Sequence, residues 1–324
     1  MTLAFLFPGQ GTQRPNMLRA LPVSAAVSEV LDEFHSESKN LGLTGDIDSA
    51  EALQSTMCVQ LALLIAGVAC ARALISEQGL TPQFVAGHSV GAFAAAVTSG
   101  VMTLRDAMAA VALRGQLMEH ACAEGEWGMA ALTGLPTRSA RQIAEQITTA
   151  EEPIWVANIN SATQTVFSGS VTALARAADL AKRAGAFTYE RLAVSVASHC
   201  PKQDGTARQL AAYLAELPRR EPTARYLTNV RGRATTSSEV IFDDLAQAVA
   251  RPVQWYDATR LMAELGATCA IETRPGHVLT QLLASAAPEM TAVALQDFDL
   301  AAAARRVRGS SNPAHSWVRV SKRP

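Results

Sequence analysis

The chain predicts an α/β fold, with a parallel sheet in the large domain and an inserted ferredoxin-like subdomain, on three observations. The apolar run Phe84-Val85-Ala86 leads straight into Gly87-His88-Ser89-Val90-Gly91 and then an alanine-rich stretch. Strand, sharp turn and helix in that order open an α/β unit. Leu3 to Phe7 is a second apolar run, closed by Pro8-Gly9, and reads as a buried strand feeding a turn. From about Gly125 the texture becomes strand, helix, strand, strand, helix, strand, a ferredoxin-like order that can close on itself.

In chain order, residues 49–78 form a helical region, and Thr56 to Ile75 is apolar on nearly every face. Ala92 to Thr98 is a helix stopped by Ser99-Gly100, and a second runs from Leu104 to about Ala121. In the insert, Gly128 to Leu132 is a strand and Thr137 to Thr149 a helix. Ile154 to Ile159 and Thr165 to Ser168 are strands joined by Asn160-Ser161. Leu174 to Ala184 is a helix, and Phe187 to Leu192 the last strand. Helices Ala207 to Leu217, Val240 to Ala250 and Tyr256 to Leu265 follow. A strand, Cys269 to Glu272, then precedes Pro275-Gly276 and a helix from Val278 to Ala287. The expected organisation is a discontinuous large domain, 1–122 and 196–304, a subdomain at 123–195, and a flexible basic tail at 305–324.

Of the 324 residues 49% are hydrophobic, enough for a sizeable core, and 28 Lys plus Arg face 29 Asp plus Glu. A net charge of −1 argues against nucleic-acid binding, which needs a dense cationic surface. The balance hides an asymmetry: Arg305, Arg306, Arg308, Arg319, Lys322 and Arg323 follow the last acid, Asp299, and leave a body of −7. The longest uninterrupted apolar stretch, Leu61 to Ala71, is shorter than the roughly 20 residues a membrane span needs, and reads as a buried helix. The N-terminus has no basic segment of a signal peptide. Five cysteines without a CxxC pair argue against a disulfide framework or a zinc site. A cytoplasmic, metal-free protein without a membrane partner is expected.

The strongest chemical signal is the G-x-S-x-G pentapeptide between strand and helix, a nucleophile elbow that projects Ser89 from the end of a sheet. The N–H of Val90 then points at any oxyanion formed there, helped by the following helix N-terminus. A serine needs a base. His88 lies inside the elbow with its ring directed away from Ser89 Oγ, whereas His199 and His277 each sit just past a strand end and compete on position alone. Since no Asp is obviously placed to orient either, a Ser-His pair is better supported than a full triad. Cys200 reads as a small buried residue. Arg114 sits among Val111, Ala112, Leu113 and Gly115, where a guanidinium could hold a carboxylate by two parallel hydrogen bonds. The turn Phe7-Pro8-Gly9-Gln10-Gly11-Thr12-Gln13 could supply a second oxyanion donor. Its spacing fits neither a Walker loop nor a dinucleotide fingerprint.

Over roughly residues 1–290 the chain resembles the malonyl-CoA:acyl carrier protein transacylases. The resemblance is carried by FLFPGQGTQ (5–13), GHSVGAF (87–93), ALRGQLMEHA (112–121), ANINSATQTVFSG (157–169), SVASHC (195–200), LTNVRG (227–232), RPVQWYDA (251–258) and ETRPGHVLTQLL (272–283). It implies an α/β-hydrolase-like large domain, Ser89 as acylated nucleophile and His199 as base. It also implies Arg114 as the grip on the malonyl carboxylate, and an oxyanion hole from the N–H groups of Gln10 and Val90. A main-chain carbonyl, at Ala248, would orient the base in place of a carboxylate. Malonyl-CoA would be substrate, no cofactor would be permanently bound, and an acyl carrier protein would be the partner. The form GHSVGAF, with Ala92-Phe93 after the second elbow glycine, and the stretch 55–69 resemble most the epsilon subunit of malonate decarboxylase; that role is expected ahead of a transacylase of fatty-acid or polyketide synthesis. Ala197, where many members have Pro, is a further departure. A serine thioesterase and a non-catalytic carrier-docking subunit are the remaining readings, and the basic tail could steer an acidic carrier.

Overall fold

The computed structural model describes residues 1–309. The strands are β1 (Leu3–Phe7), β2 (Phe84–Gly87), β3 (Trp127–Thr133), β4 (Ile154–Ser161), β5 (Gln164–Ser170), β6 (Thr188–Arg191), β7 (Arg225–Leu227), β8 (Ala234–Thr235), β9 (Cys269–Glu272) and β10 (Thr291–Ala294). The helices are α1 (Ala25–Glu37), α2 (Thr56–Ser76), α3 (Gly91–Thr98), α4 (Leu104–Ala121), α5 (Thr137–Ile147), α6 (Val171–Arg183), α7 (Asp204–Ala215), α8 (Ser238–Gln247), α9 (Trp255–Glu264), α10 (Val278–Ala286) and α11 (Leu300–Gly309).

The main sheet runs β10-β9-β1-β2-β7-β8, parallel except for the β7–β8 pair. β1 lies between β9 and β2 with all five residues buried, as a continuous apolar run in a doubly covered sheet requires. The chain leaves β1 for β2 on one side and returns to β9 on the other. The carboxyl ends of β1 and β2, at Phe7 and Gly87, therefore flank the crevice where such sheets bind ligands. α2 is the central core helix: Ser55 caps it, accepting from the Cys58 N–H, and its apolar residues are buried on nearly all sides. By length and composition it could cross a membrane, yet its most apolar stretch is 83% buried inside the molecule.

The second sheet, β4-β5-β3-β6, is antiparallel throughout and built entirely from residues 127–191. One face packs on α5 and α6 through Leu132, Ile143, Ile154, Phe167 and Leu174. Paired N–H···O bonds between β4 and Val253 tie it to the main domain: the Ile159 N–H to Val253 O at 2.8 Å and the Val253 N–H to Ala157 O at 2.9 Å.

Several boundaries differ from those read in the sequence. β6 begins at Thr188, and Phe187 is 84% exposed outside it. Asn160 and Ser161 belong to β4, so the reversal falls on Ala162-Thr163. The predicted flexible tail is corrected at its start: 305–309 continues α11, with Leu300, Ala303, Ala304 and Val307 buried at helical spacing. Starting the tail at Arg305 cut that apolar stripe in two. The remainder of the tail, 310–324, lies outside the described residues.

Candidate active site

β2 ends at Gly87, and the His88 N–H bonds to Phe7 O at 2.9 Å, which joins the elbow to the end of β1. Ser89 then takes φ 55°, a left-handed conformation rare outside glycine. The N–H groups of Gly91 and Ala92 turn back to the carbonyls of His88 and Ser89, both at 3.0 Å, and start α3. A Cβ on Gly91 would lie 2.2 Å from Phe7 O, and one on Gly87 2.0 Å from the Gly91 carbonyl carbon, so glycine is compelled at both ends. The Asn229 side chain closes the turn: its Oδ1 accepts the Ser89 N–H and its Nδ2 donates to Gly87 O, each at 2.9 Å.

His199 also holds a left-handed conformation, φ 60°. Two consecutive carbonyls of a 3-10 turn, Ala248–Ala250, fix it: its N–H bonds to Val249 O at 2.7 Å and its Nδ1 to Ala248 O at 2.5 Å. A carbonyl can only accept, so Nδ1 carries the proton and Nε2 presents its lone pair to Ser89 Oγ, 2.8 Å away. Burial, then the positive charge of Arg114, pushes the imidazole pKa down to about 3, so the ring is neutral and basic-side free at physiological pH. His277 stands elsewhere, before α10, where its carbonyl accepts from Thr280 and Gln281. His88 turns from Ser89, its Nε2 3.0 Å from Asn160 Oδ1 and its ring against Trp255.

Arg114 is 2% exposed. Its Nη1 donates to Gln60 Oε1 at 2.6 Å and its Nη2 to Ser89 Oγ at 3.1 Å. The closeness of α4 to α2 makes this possible: a Cβ on Gly115 would lie 2.5 Å from Met57 Cα. Among the described residues Arg114 pairs with no carboxylate. Burial lowers its pKa to about 10, which leaves it charged at neutral pH. A buried, uncompensated guanidinium is costly unless something anionic meets it.

These groups face a cavity of about 340 Å³ between the two sheets. Gln10, Ser89, Val90, Arg114 and His199 form its polar end, and Met129, Val166, Val194 and Leu282 supply apolar wall. Among the described residues the N–H groups of Gln10 and Val90 donate to no other protein group, so both remain available at the cavity. No cluster of three His, Cys, Asp or Glu side chains placed to hold a metal occurs among the described residues. The geometry can do acyl transfer: an activated hydroxyl, a neutral base, two free N–H donors and a fixed positive charge surround one space.

Three residues of this arrangement escaped the sequence reading. Gln60 lies in α2, where one amide in an apolar helix is the only signal. Asn160 sits in β4, and Asn229 lies in a short motif that had no role assigned to it.

Comparison with known proteins places this chain in a family. The acyl transferase domain family matches residues 4–307. A malonyl CoA-acyl carrier protein transacylase of Escherichia coli K12 is 36% identical over 308 residues, covering 93% of this chain and 98% of that protein. The crystal structure of an acyl-carrier-protein S-malonyltransferase from Burkholderia pseudomallei superposes with a TM-score of 0.86 at 32% identity, covering 95% of this chain and 99% of that one. A malonyl-transacylase solved in complex with its type II PKS acyl-carrier protein gives 0.87 at 32% identity, over 94% of this chain and all of that one. The chain belongs to the acyl transferase domain family, among the malonyl CoA-acyl carrier protein transacylases.

Proposed function

We propose that this protein transfers a malonyl group from malonyl-CoA to the thiol of an acyl carrier protein, in the cytoplasm, as a transacylase of fatty-acid or polyketide synthesis. One observation carries the choice of acyl group: the buried Arg114 guanidinium, unpaired with any carboxylate among the described residues, 3.1 Å from Ser89 Oγ. An acyl chain esterified to that oxygen and ending in a carboxylate would meet it directly, with two parallel charge-assisted hydrogen bonds open to it.

In the first half-reaction His199 Nε2 takes the Ser89 hydroxyl proton as Oγ bonds to the thioester carbonyl carbon. The oxyanion lies between the N–H groups of Gln10 and Val90. The C–S bond then breaks, and the CoA sulfur leaves with the proton from His199. In the second half the carrier thiol gives its proton to the same nitrogen and attacks the ester. The C–O bond breaks and Ser89 recovers its proton. Throughout, the Ala248 carbonyl keeps Nδ1 protonated and stabilises the imidazolium.

The relatives named above support this reading over the expected malonate decarboxylase subunit, which gains no support from them. Of the features that suggested that subunit, Ala92 and Phe93 are packing residues, each 1% exposed inside α3, and 55–69 is the capped first part of the core helix α2, from which Gln60 reaches the site through Arg114. Intact-protein mass after brief mixing tests the proposal. Wild type should gain a malonyl adduct from malonyl-CoA and little from acetyl-CoA, and Ser89→Ala should gain none. Steady CoA release without an adduct would instead indicate a thioesterase.

A further inference from the structure

The segment Leu227 to Gly232 contains no group that touches the acyl-transfer space, yet Asn229 is 3% exposed and clamps the elbow from behind. Its amide spans the turn, joining the carbonyl on one side of His88 to the N–H on the other, and so opposes any relaxation of the left-handed Ser89. Asn229 is itself held by Asp244, on α8. The Asp244 carboxylate accepts the Asn229 N–H at 2.9 Å, the Val230 N–H at 2.8 Å and the Tyr226 hydroxyl at 3.2 Å. Those are donors only, and they satisfy a buried carboxylate that meets no cation among the described residues.

The same helix ends on the other half of the dyad. The Ala248 N–H closes α8 on Asp244 O, and the Ala248 and Val249 carbonyls that follow are the two that fix His199. One element thus reaches Ser89 through Asp244 and Asn229, and His199 through its own C-terminal carbonyls. We propose that Asn229 and Asp244 are positioning residues that hold Ser89 in attacking register with His199, using α8 as their common frame. The 2.8 Å contact between two residues separated by 110 positions is then set over a short path, not through the whole sheet.

This inference rests on the acyl-transfer reading of Ser89. Its test uses the full chain carrying Asn229→Ala, Asn229→Asp or Asp244→Asn. Rapid-quench CoA release gives the acylation rate and its malonyl-CoA dependence, and calorimetry in a Ser89→Ala background gives malonyl-CoA affinity. Misplacing a nucleophile by about 1 Å costs on the order of 100-fold, so Asn229→Ala should lose about that in acylation rate. Its KM should stay within about threefold, because Arg114 and the cavity wall are untouched, and its affinity unchanged. Asn229→Asp keeps the acceptor for Ser89 but sets a carboxylate oxygen against Gly87 O, and should be equally slow. Asp244→Asn retains the shape, loses one acceptor, and should be slowed less; it carries the same readout if Asn229→Ala does not fold. An acylation rate within about threefold of wild type would overturn the proposal. A fall in rate matched by an equal loss of affinity would do the same, as it marks general loosening of the pocket. If wild type forms no malonyl adduct, the transacylase reading fails first. Fluorophosphonate labelling of Ser89, which needs only nucleophile and base, then tests the positioning proposal alone: equal labelling rates in wild type and Asn229→Ala overturn it.

Discussion

Replacing Arg114 by Ala should reverse the acyl preference of the site. Among the described residues the guanidinium has two hydrogen-bond partners, Gln60 Oε1 at 2.6 Å and Ser89 Oγ at 3.1 Å, and is almost wholly buried. A substrate carboxylate arriving there completes a buried, hydrogen-bonded charge pair, and truncating one partner of such a pair costs about 2–5 kcal/mol. At 1.36 kcal/mol per decade that is about 30- to 5,000-fold in kcat/KM for malonyl-CoA. Acetyl-CoA presents no carboxylate, so its kcat/KM should remain within about threefold or rise, once a charge left unpaired by an acetyl group is gone. Arg114→Lys keeps the charge but not the planar fork and should fall between. The assay is CoA release with a holo carrier present, run with both thioesters on each variant. Equal losses for malonyl- and acetyl-CoA would refute the reasoning and make Arg114 a support for Ser89, not a receptor for a carboxylate.

Three further outcomes follow from the same geometry. Gln60→Leu removes the acceptor that aims Arg114; hydrogen bonds to charged groups contribute about 1.5–3 kcal/mol, so malonyl-CoA KM should rise about tenfold or more while acetyl-CoA kinetics stay level. Gly91→Ala puts a Cβ 2.2 Å from Phe7 O, and should lower stability by about 1–3 kcal/mol in a denaturant melt and abolish the malonyl adduct. In the proposed mechanism His199 acts as the neutral base, and burial lowers its pKa to about 3, so protonation would remove that form only near pH 3; the acylation rate should be flat from about pH 8 down to about pH 5. An ascending limb with a midpoint near 6.5 would show an exposed, ordinary imidazole in place of the buried one.

Local chemistry was legible in the sequence where it is confined to contiguous residues. The elbow needs glycine at 87 and 91 because backbone crowds both positions, and a pentapeptide can display that. The alternation and helix spacing of 127–191 showed the succession of strands and helices along the chain, whereas the pairing of β3 with β5 and β6 joins segments distant in sequence, and only β4 and β5 pair as consecutive strands. The competition between His199 and His277 could not be decided from position, because the decision lies in a contact 110 residues long in sequence and in two carbonyls of another segment. Gln60 was hidden for a related reason. On a helix buried on nearly all faces no apolar stripe identifies which side points to the site. The short strands β7 and β10, three and four residues long, were missed because no glycine-rich or Pro-Gly turn follows them as one follows the similarly short β2 and β9, and α1 was passed over although Ser24 caps it.

The choice of a carbonyl to orient the base follows from the presence of Arg114. An aspartate behind His199 would be a fixed negative charge one imidazole away from Ser89, inside a buried site whose guanidinium contacts the same hydroxyl oxygen. Buried opposite charges attract strongly at such range, so the aspartate would offset the positive potential that a malonyl carboxylate needs, and would raise the imidazole pKa toward protonation. The Ala248 carbonyl fixes the tautomer and accepts from the imidazolium while bringing no net charge; its hydrogen bond raises the imidazole pKa, but burial and Arg114 outweigh it. Asp244 stands on the same helix but points its carboxylate into three donors at the back of the elbow, where its charge is spent on Asn229, Val230 and Tyr226. Among the described residues the site therefore keeps one uncompensated charge at the cavity, that of Arg114, and the groups that touch Ser89 and His199 from behind, the Asn229 amide and the Ala248 carbonyl, are neutral, with the Asp244 carboxylate one step further back.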